Sequence, residues 1–113
     1  MHELAITQSI IDIVVRHAEQ AQARRVLRIN LVVGDLSSIV DDSVQFYFDY
    51  LSKDTLAEGA VLAFERRPVS LVCGECAYRW QPPTADWTCP RCKQAQARVA
   101  EGREFYVNSI EVE

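Results

Sequence analysis

Two Cys-x-x-Cys pairs, Cys73-Gly74-Glu75-Cys76 and Cys89-Pro90-Arg91-Cys92, lie twelve residues apart and hold all four cysteines of the chain. Each pair reads as a knuckle, a tight turn that aims two sulfurs at one point while backbone amides donate to them. Two knuckles supply four thiolates, a set suited to a closed tetrahedral Zn2+ site with bonds of about 2.3 Å. Iron fits the same ligands, whereas two disulfides or a redox dithiol fit a doubled motif poorly. A closed site leaves no position for substrate, so its expected role is structural. Metal-coupled folding of such a module is worth on the order of 10 kcal/mol. Ala77 and Lys93 follow the second cysteine of each knuckle, where a left-handed backbone is expected and glycine would sit more easily. Trp80 and Trp87 flank the knuckles and are expected to cover the site.

The flanking sequence has a different character. Residues 4–22 carry Thr7, Ile11, Val14, Ala18 and Ala21 at helical spacing, with Ile10 and Val15 widening the stripe. Residues 26–33 alternate Leu27, Ile29, Leu31 and Val33 with Arg28 and Asn30, the pattern of a strand with one buried face. Gly34 ends it, and 35–40 reads as a loop. Asp41 or Asp42 is placed to cap a second helix running to about Ser52, with Val44, Tyr47, Phe48 and Leu51 inward. A strand follows at 60–66, and Pro68 breaks the pattern. Residues 103–113 form a last strand on Phe105, Val107, Ile110 and Val112, whose shift in parity predicts a bulge near Asn108. The expected fold is α+β: two helices packed on a small β-sheet, with an inserted four-cysteine zinc-ribbon-like module. The division expected is 1–68 plus 102–113 for the α+β domain and 69–101 for the module, hung from two neighbouring connections.

Bulk properties narrow the function. At 113 residues the chain is one domain or one domain with a small appendage. A net charge of −4 argues against a nonspecific grip on nucleic acid, and no apolar run is long enough to span a bilayer. The first residues lack the basic and apolar regions of a signal peptide, so a cytoplasmic, reducing setting is expected, in which paired cysteines more often hold metal. No catalytic triad, phosphate-binding glycine loop or open zinc site marks an enzyme.

The chain starts Met1-His2-Glu3. A free terminal amine, the backbone nitrogen and Nδ1 of His2, and the backbone nitrogen of Glu3 make a square-planar nitrogen set suited to Ni(II) or Cu(II). The amine and imidazole must be deprotonated, with ordinary values of about 8 and 6.5, so binding weakens as pH falls. The bland reading is a frayed terminus. The Glu3 carboxylate is expected to orient His2, to meet a partner, or to serve as a first-turn acid favoured by the helix dipole. His17 is expected to be a solvated or partner-facing residue without a metal role.

Met1-His2-Glu3, Gly34-Asp35-Leu36-Ser37, Phe46-Tyr47-Phe48, Glu58-Gly59-Ala60, the doubled Cys-x-x-Cys and the closing Ser109-Ile110-Glu111-Val112-Glu113 follow one another in this order. Together they resemble the HypA/HybF family of hydrogenase and urease nickel-incorporation proteins, over essentially the whole chain. The resemblance implies a nickel metallochaperone that carries Ni2+ at the N-terminus during [NiFe]-hydrogenase maturation. It implies work with the GTPase HypB and the hydrogenase large subunit precursor, and with urease maturation proteins in some relatives. The family's nickel site maps onto Met1, His2 and Glu3, and its zinc ligands onto Cys73, Cys76, Cys89 and Cys92. Some relatives add an acidic or histidine nickel ligand. Asp41 and Asp42 lie where an acidic one would come from, though helix capping explains them equally. The rival reading is a zinc-ribbon protein–protein adaptor without nickel transfer.

Overall fold

The structure is a computed structural model and describes residues 3–113. The element order is α1 (Glu3–Gln20), β1 (Val26–Gly34), α2 (Asp41–Leu51), β2 (Val61–Arg67), β3 (Ser70–Cys73), β4 (Arg79–Trp80), β5 (Ala97–Glu101) and β6 (Phe105–Val112). Two three-stranded sheets form, in the orders β2-β1-β6 and β4-β3-β5. The chain divides into two compact units. One takes the residues up to Val32 with Ser38–Glu65 and Tyr106–Glu113, and the other takes Val33–Ser37 with Arg66–Phe105.

In the first unit the helical stripe read from the sequence is the buried face of α1: Thr7, Ile10, Ile11, Val14 and Ala18. The helix stops at Gln20, short of the expected end. The Ala23 amide donates to the Ala18 carbonyl (2.9 Å) and the Gln22 amide to Glu19 (3.0 Å), with Gln22 left-handed at φ 57°. This is a Schellman closure with glutamine where glycine is usual, which is why the sequence did not announce it.

The central strand β1 departs from simple alternation. Leu27, expected inside, is 37% exposed, whereas Val26 is buried. Beyond Ile29 the strand is buried on both faces through Leu31, Val32 and Val33, as befits the middle strand of the sheet. The start of β1 meets the chain end, with the Glu113 amide donating to Arg25 (3.0 Å) and the Arg24 amide donating to Glu113 (2.7 Å). Along β6, Phe105, Val107 and Ile110 are half-buried, so the inward positions step by two and then by three, following the parity shift.

The expected capping of α2 by Asp41 or Asp42 is corrected. Val40 is the N-cap residue and makes no side-chain cap bond, while both aspartates occupy the first turn. There they still oppose the positive helix end. The inward residues are Val44 and Phe48.

In the second unit, a sheet absent from the sequence reading joins β3 antiparallel to β4 on one side and to β5 on the other. The Gly34–Leu36 segment binds both connections of the cysteine module. The Gly34 amide donates to Glu104 (2.7 Å), Asp35 to Arg67 (2.9 Å) and Leu36 to Gly102 (2.7 Å). Gly102 is left-handed at φ 123°, and a Cβ there would come within 3.0 Å of Val69 Cα. Nearby, Glu104 Oε1 accepts from the Gly102 amide (2.8 Å). Its carboxyl is held below its ordinary 4.5 by its own amide and that of Gly102, with Arg67 assisting and burial opposing. A depressed carboxyl stabilises the fold above its ordinary value, and that contribution is lost as pH falls through the lower folded value. Acid titration of stability is therefore expected to be shallower in Glu104→Gln than in the parent below about pH 4.5, as followed by urea unfolding at each pH.

Candidate metal centre

The two knuckles share one construction. The Cys73 amide donates to Tyr78 (2.8 Å) and the Ala77 amide to Cys73 (2.9 Å); Cys89 donates likewise to Gln94 (3.0 Å) and Lys93 to Cys89 (3.0 Å). These bonds force each residue after the second cysteine into the left-handed region, with Ala77 at φ 65° and Lys93 at φ 66°, as read from the sequence. The turn amides then face sulfur. Glu75 donates to Cys73 Sγ, and Arg91 and Cys92 donate to Cys89 Sγ, each at 3.4 Å. A non-glycine residue in this region carries about 1–2 kcal/mol of strain, partly offset by the entropy glycine loses. Ala77→Gly and Lys93→Gly are therefore expected to raise stability by up to about 1 kcal/mol each, read as a higher thermal midpoint of the metal-loaded protein.

Across the knuckles, Cys73 Sγ lies 3.5 Å from Cys92 Sγ, and Cys76 Sγ lies 3.7 Å from Cys89 Sγ. All four sulfurs fall within 4.8 Å of one another. A tetrahedron with bonds of about 2.3 Å has edges of about 3.8 Å, so the donor set and its spacing fit one thiophilic dication. Cys73 and Cys89 are buried, while Cys92 is half-buried and Cys76 faces solvent. Among the described residues this is the one group of three or more potential ligands that converges.

The sulfurs are electrostatically unequal. Burial works against ionising Cys89, but the amides of Cys92 and Arg91 bring its thiol down to about 6. Amide donation from Cys76 and Glu75 also lowers Cys73. For Cys92 the Gln94 amide works downward, yet burial and the other three sulfurs push it up to about 12. Four thiolates this close cannot all stay ionised without a cation among them.

Surrounding side chains tie the knuckles together. The Arg91 guanidinium of the second knuckle lies 5.9 Å from the ring centre of Tyr78, beside the first, and Tyr78 stacks on Trp80 at 6.1 Å. Trp80 shares a shallow hollow with Cys89 and Pro90. Trp87, expected beside the metal site, lines a separate cleft with Leu36, Val69 and Pro82.

The expected nickel ligands Met1 and His2 lie outside the described residues. Glu3 opens α1 and is buried, and its carboxylate accepts the Val40 amide at the start of α2 (3.4 Å). No local sequence signal could have given this bond, because its partners are 37 residues apart. His17 is exposed near the end of α1, in a shallow pocket with Ile13, Val107 and Ile110.

Comparison with known proteins agrees with this architecture. The family model described as hydrogenase/urease nickel incorporation, metallochaperone, HypA, matches residues 1–112. A hydrogenase maturation factor HypA of Dehalococcoides mccartyi is 43% identical over all of this chain and 95% of its own length. One of Geobacter sulfurreducens is 41% identical over the whole of both chains. Two solved structures share the fold at 24% identity. The solution structure of the Ni metallochaperone HypA from Helicobacter pylori has a TM-score of 0.71 and covers 99% of this chain and 97% of its own. A second HypA solution structure has a TM-score of 0.79 and covers 99% and 96%. With its doubled knuckle in place and its sequence matched almost from end to end, the chain belongs to the HypA family of hydrogenase/urease nickel-incorporation metallochaperones.

Proposed function

We propose that this chain is a nickel carrier, not an enzyme, that takes up Ni(II) at its first residues and passes it on during cytoplasmic [NiFe]-hydrogenase maturation. Its partners in this reading are the GTPase HypB and the hydrogenase large subunit precursor, and urease maturation proteins where a urease is served. The observation that carries the reading is the convergence of four sulfurs within 4.8 Å in a chain matched by the nickel-incorporation family over residues 1–112. Cys73, Cys76, Cys89 and Cys92 would hold Zn2+, whose charge neutralises the clustered thiolates and fixes the module, 69–101. The other part, 1–68 with 102–113, would carry the cargo.

Where Met1 bears a free amine, that amine joins the amide and imidazole of His2 and the amide of Glu3 around Ni(II). Four nitrogens in a plane give a low-spin, yellow complex, open above and below to an acceptor. The bond from the Val40 amide to the Glu3 carboxylate supports the reading, because it fixes the residue whose backbone nitrogen would be the fourth donor. Nickel titration is the test, on the parent, on His2→Ala and on a chain extended before Met1. The parent is expected to bind one Ni(II), and the two variants to lose at least about tenfold in affinity, since each removes a donor. Equal binding by all three overturns the terminal chelate.

A further inference from the structure

The inner face of α2 is accounted for by the core, but its outer face is not. Phe46 is 70% exposed and Tyr50 is 69% exposed, and they stand one helical turn apart on the same side. Phe46 is held edge-on against Tyr47, with ring centres 5.4 Å apart. Tyr50 lies under the Lys53 ammonium at 5.9 Å. Two large rings on one face of a helix with a separate buried face are not needed to fold it, and paired exposed aromatics mark contact surfaces.

Charge specifies what covers them. Asp42 lies one turn before Phe46 and Asp49 lies beside Tyr50; both are exposed, and Asp49 is oriented by the Gln45 amide at 2.8 Å. In the unit that contains α2, eleven Asp and Glu stand against five Lys and Arg, a net of −6. A second copy meeting this face would oppose Asp42 and Asp49 with their own images, and an anionic membrane would be repelled. A protein surface that is apolar at its centre and rimmed by Lys and Arg fits. The start of the same helix holds the Glu3 carboxylate through the Val40 amide, so a protein seated on α2 is coupled to the chain's first described residue.

We infer that the outer face of α2, centred on Phe46 and Tyr50 and flanked by Asp42 and Asp49, docks an apolar, positively rimmed surface of a partner protein. The choice of partner to test rests on the nickel-carrier reading. The probe is the GTPase HypB of the same source, titrated calorimetrically with the full chain. Parent affinity is expected to weaken as salt is raised from about 50 to about 300 mM. Phe46→Ser/Tyr50→Ser and Asp42→Lys/Asp49→Lys are each expected to bind at least about 30-fold more weakly. Unchanged far-ultraviolet circular dichroism is expected for both variants, since all four sites are exposed; the urea midpoint should be unchanged for Phe46→Ser/Tyr50→Ser and slightly lower for Asp42→Lys/Asp49→Lys, where a cation replaces a first-turn acid. Wild-type affinity in either variant, or no binding by the parent, overturns the inference. So does light scattering in which Phe46→Ser/Tyr50→Ser splits a homodimer. Nickel titration of the same proteins separates the two readings: a parent that loses the GTPase with these substitutions but takes up no Ni(II) keeps the docking face and overturns the carrier.

Discussion

A Cys89→Ser chain is expected to fail to hold the Zn2+ proposed for the four sulfurs and, with it, to lose the order of residues 69–101. Cys89 is the sulfur most strongly prepared for ionisation, brought down to about 6 despite burial. It accepts two backbone amides and lies 3.7 Å from Cys76 across the site. Serine keeps the shape but offers a poorer donor that stays protonated. Three thiolates would then face the dication, and much of a coupling free energy on the order of 10 kcal/mol would be lost. Little else holds this segment, since Leu71 is its one fully buried large aliphatic residue beside the cysteines. Metal analysis after dialysis against a chelator is expected to fall from one zinc per chain to below about a tenth, with rapid proteolysis inside 69–101. The helical signal should persist, because α1 and α2 have their own core of Ile11, Val14, Ile29, Leu31 and Phe48. Full zinc retention by Cys89→Ser would remove this residue from the ligand set.

Gly34→Ala is expected to be the most damaging single methyl group that can be added to the backbone. A Cβ there would lie 2.2 Å from the carbonyl carbon and oxygen of Gly102 and 2.7 Å from the Arg103 nitrogen. These are backbone atoms, and the Gly34 and Leu36 amides bond the same connection, at Glu104 and Gly102 between β5 and β6, so no side chain can swing aside. Overpacking of this kind costs about 3–5 kcal/mol, a drop of roughly 2 M in urea midpoint. Gly59→Ala is the control. Its Cβ meets nothing within 4 Å, though φ is +80°, so only backbone strain of about 1–2 kcal/mol applies. Equal midpoints for the two variants would show that the Gly34–Gly102 approach is looser than described.

The sequence was most readable where chemistry forces geometry. Doubled Cys-x-x-Cys spacing implies the convergence of four sulfurs, and the demands of a knuckle turn put Ala77 and Lys93 in the left-handed region. Periodicity located the buried stripe of α1, because Ile11, Val14 and Ala18 obey local spacing. It failed at Leu27 and Val26, because the inward positions there step by three, from Val26 to Ile29, and not by two. The β3-β4-β5 sheet was missed for a related reason: β4 has two residues, and the pairing of Leu71 with Val99 spans most of the module. Glu3 shows the remaining limit. Its position after His2 marked it as a metal neighbour, a partner contact or a first-turn helix acid, and only the fold brings its carboxylate to Val40.

The two knuckles are alike in shape but unlike in footing. Cys73 ends a strand paired on both sides, whereas Cys89 and Cys92 stand in irregular chain. Emptying the site would therefore slacken the second jaw first and the strand-borne one after it. A returning ion would then be held first by Cys73 and Cys76, on the better-supported knuckle, with Cys89 and Cys92 closing on it afterwards.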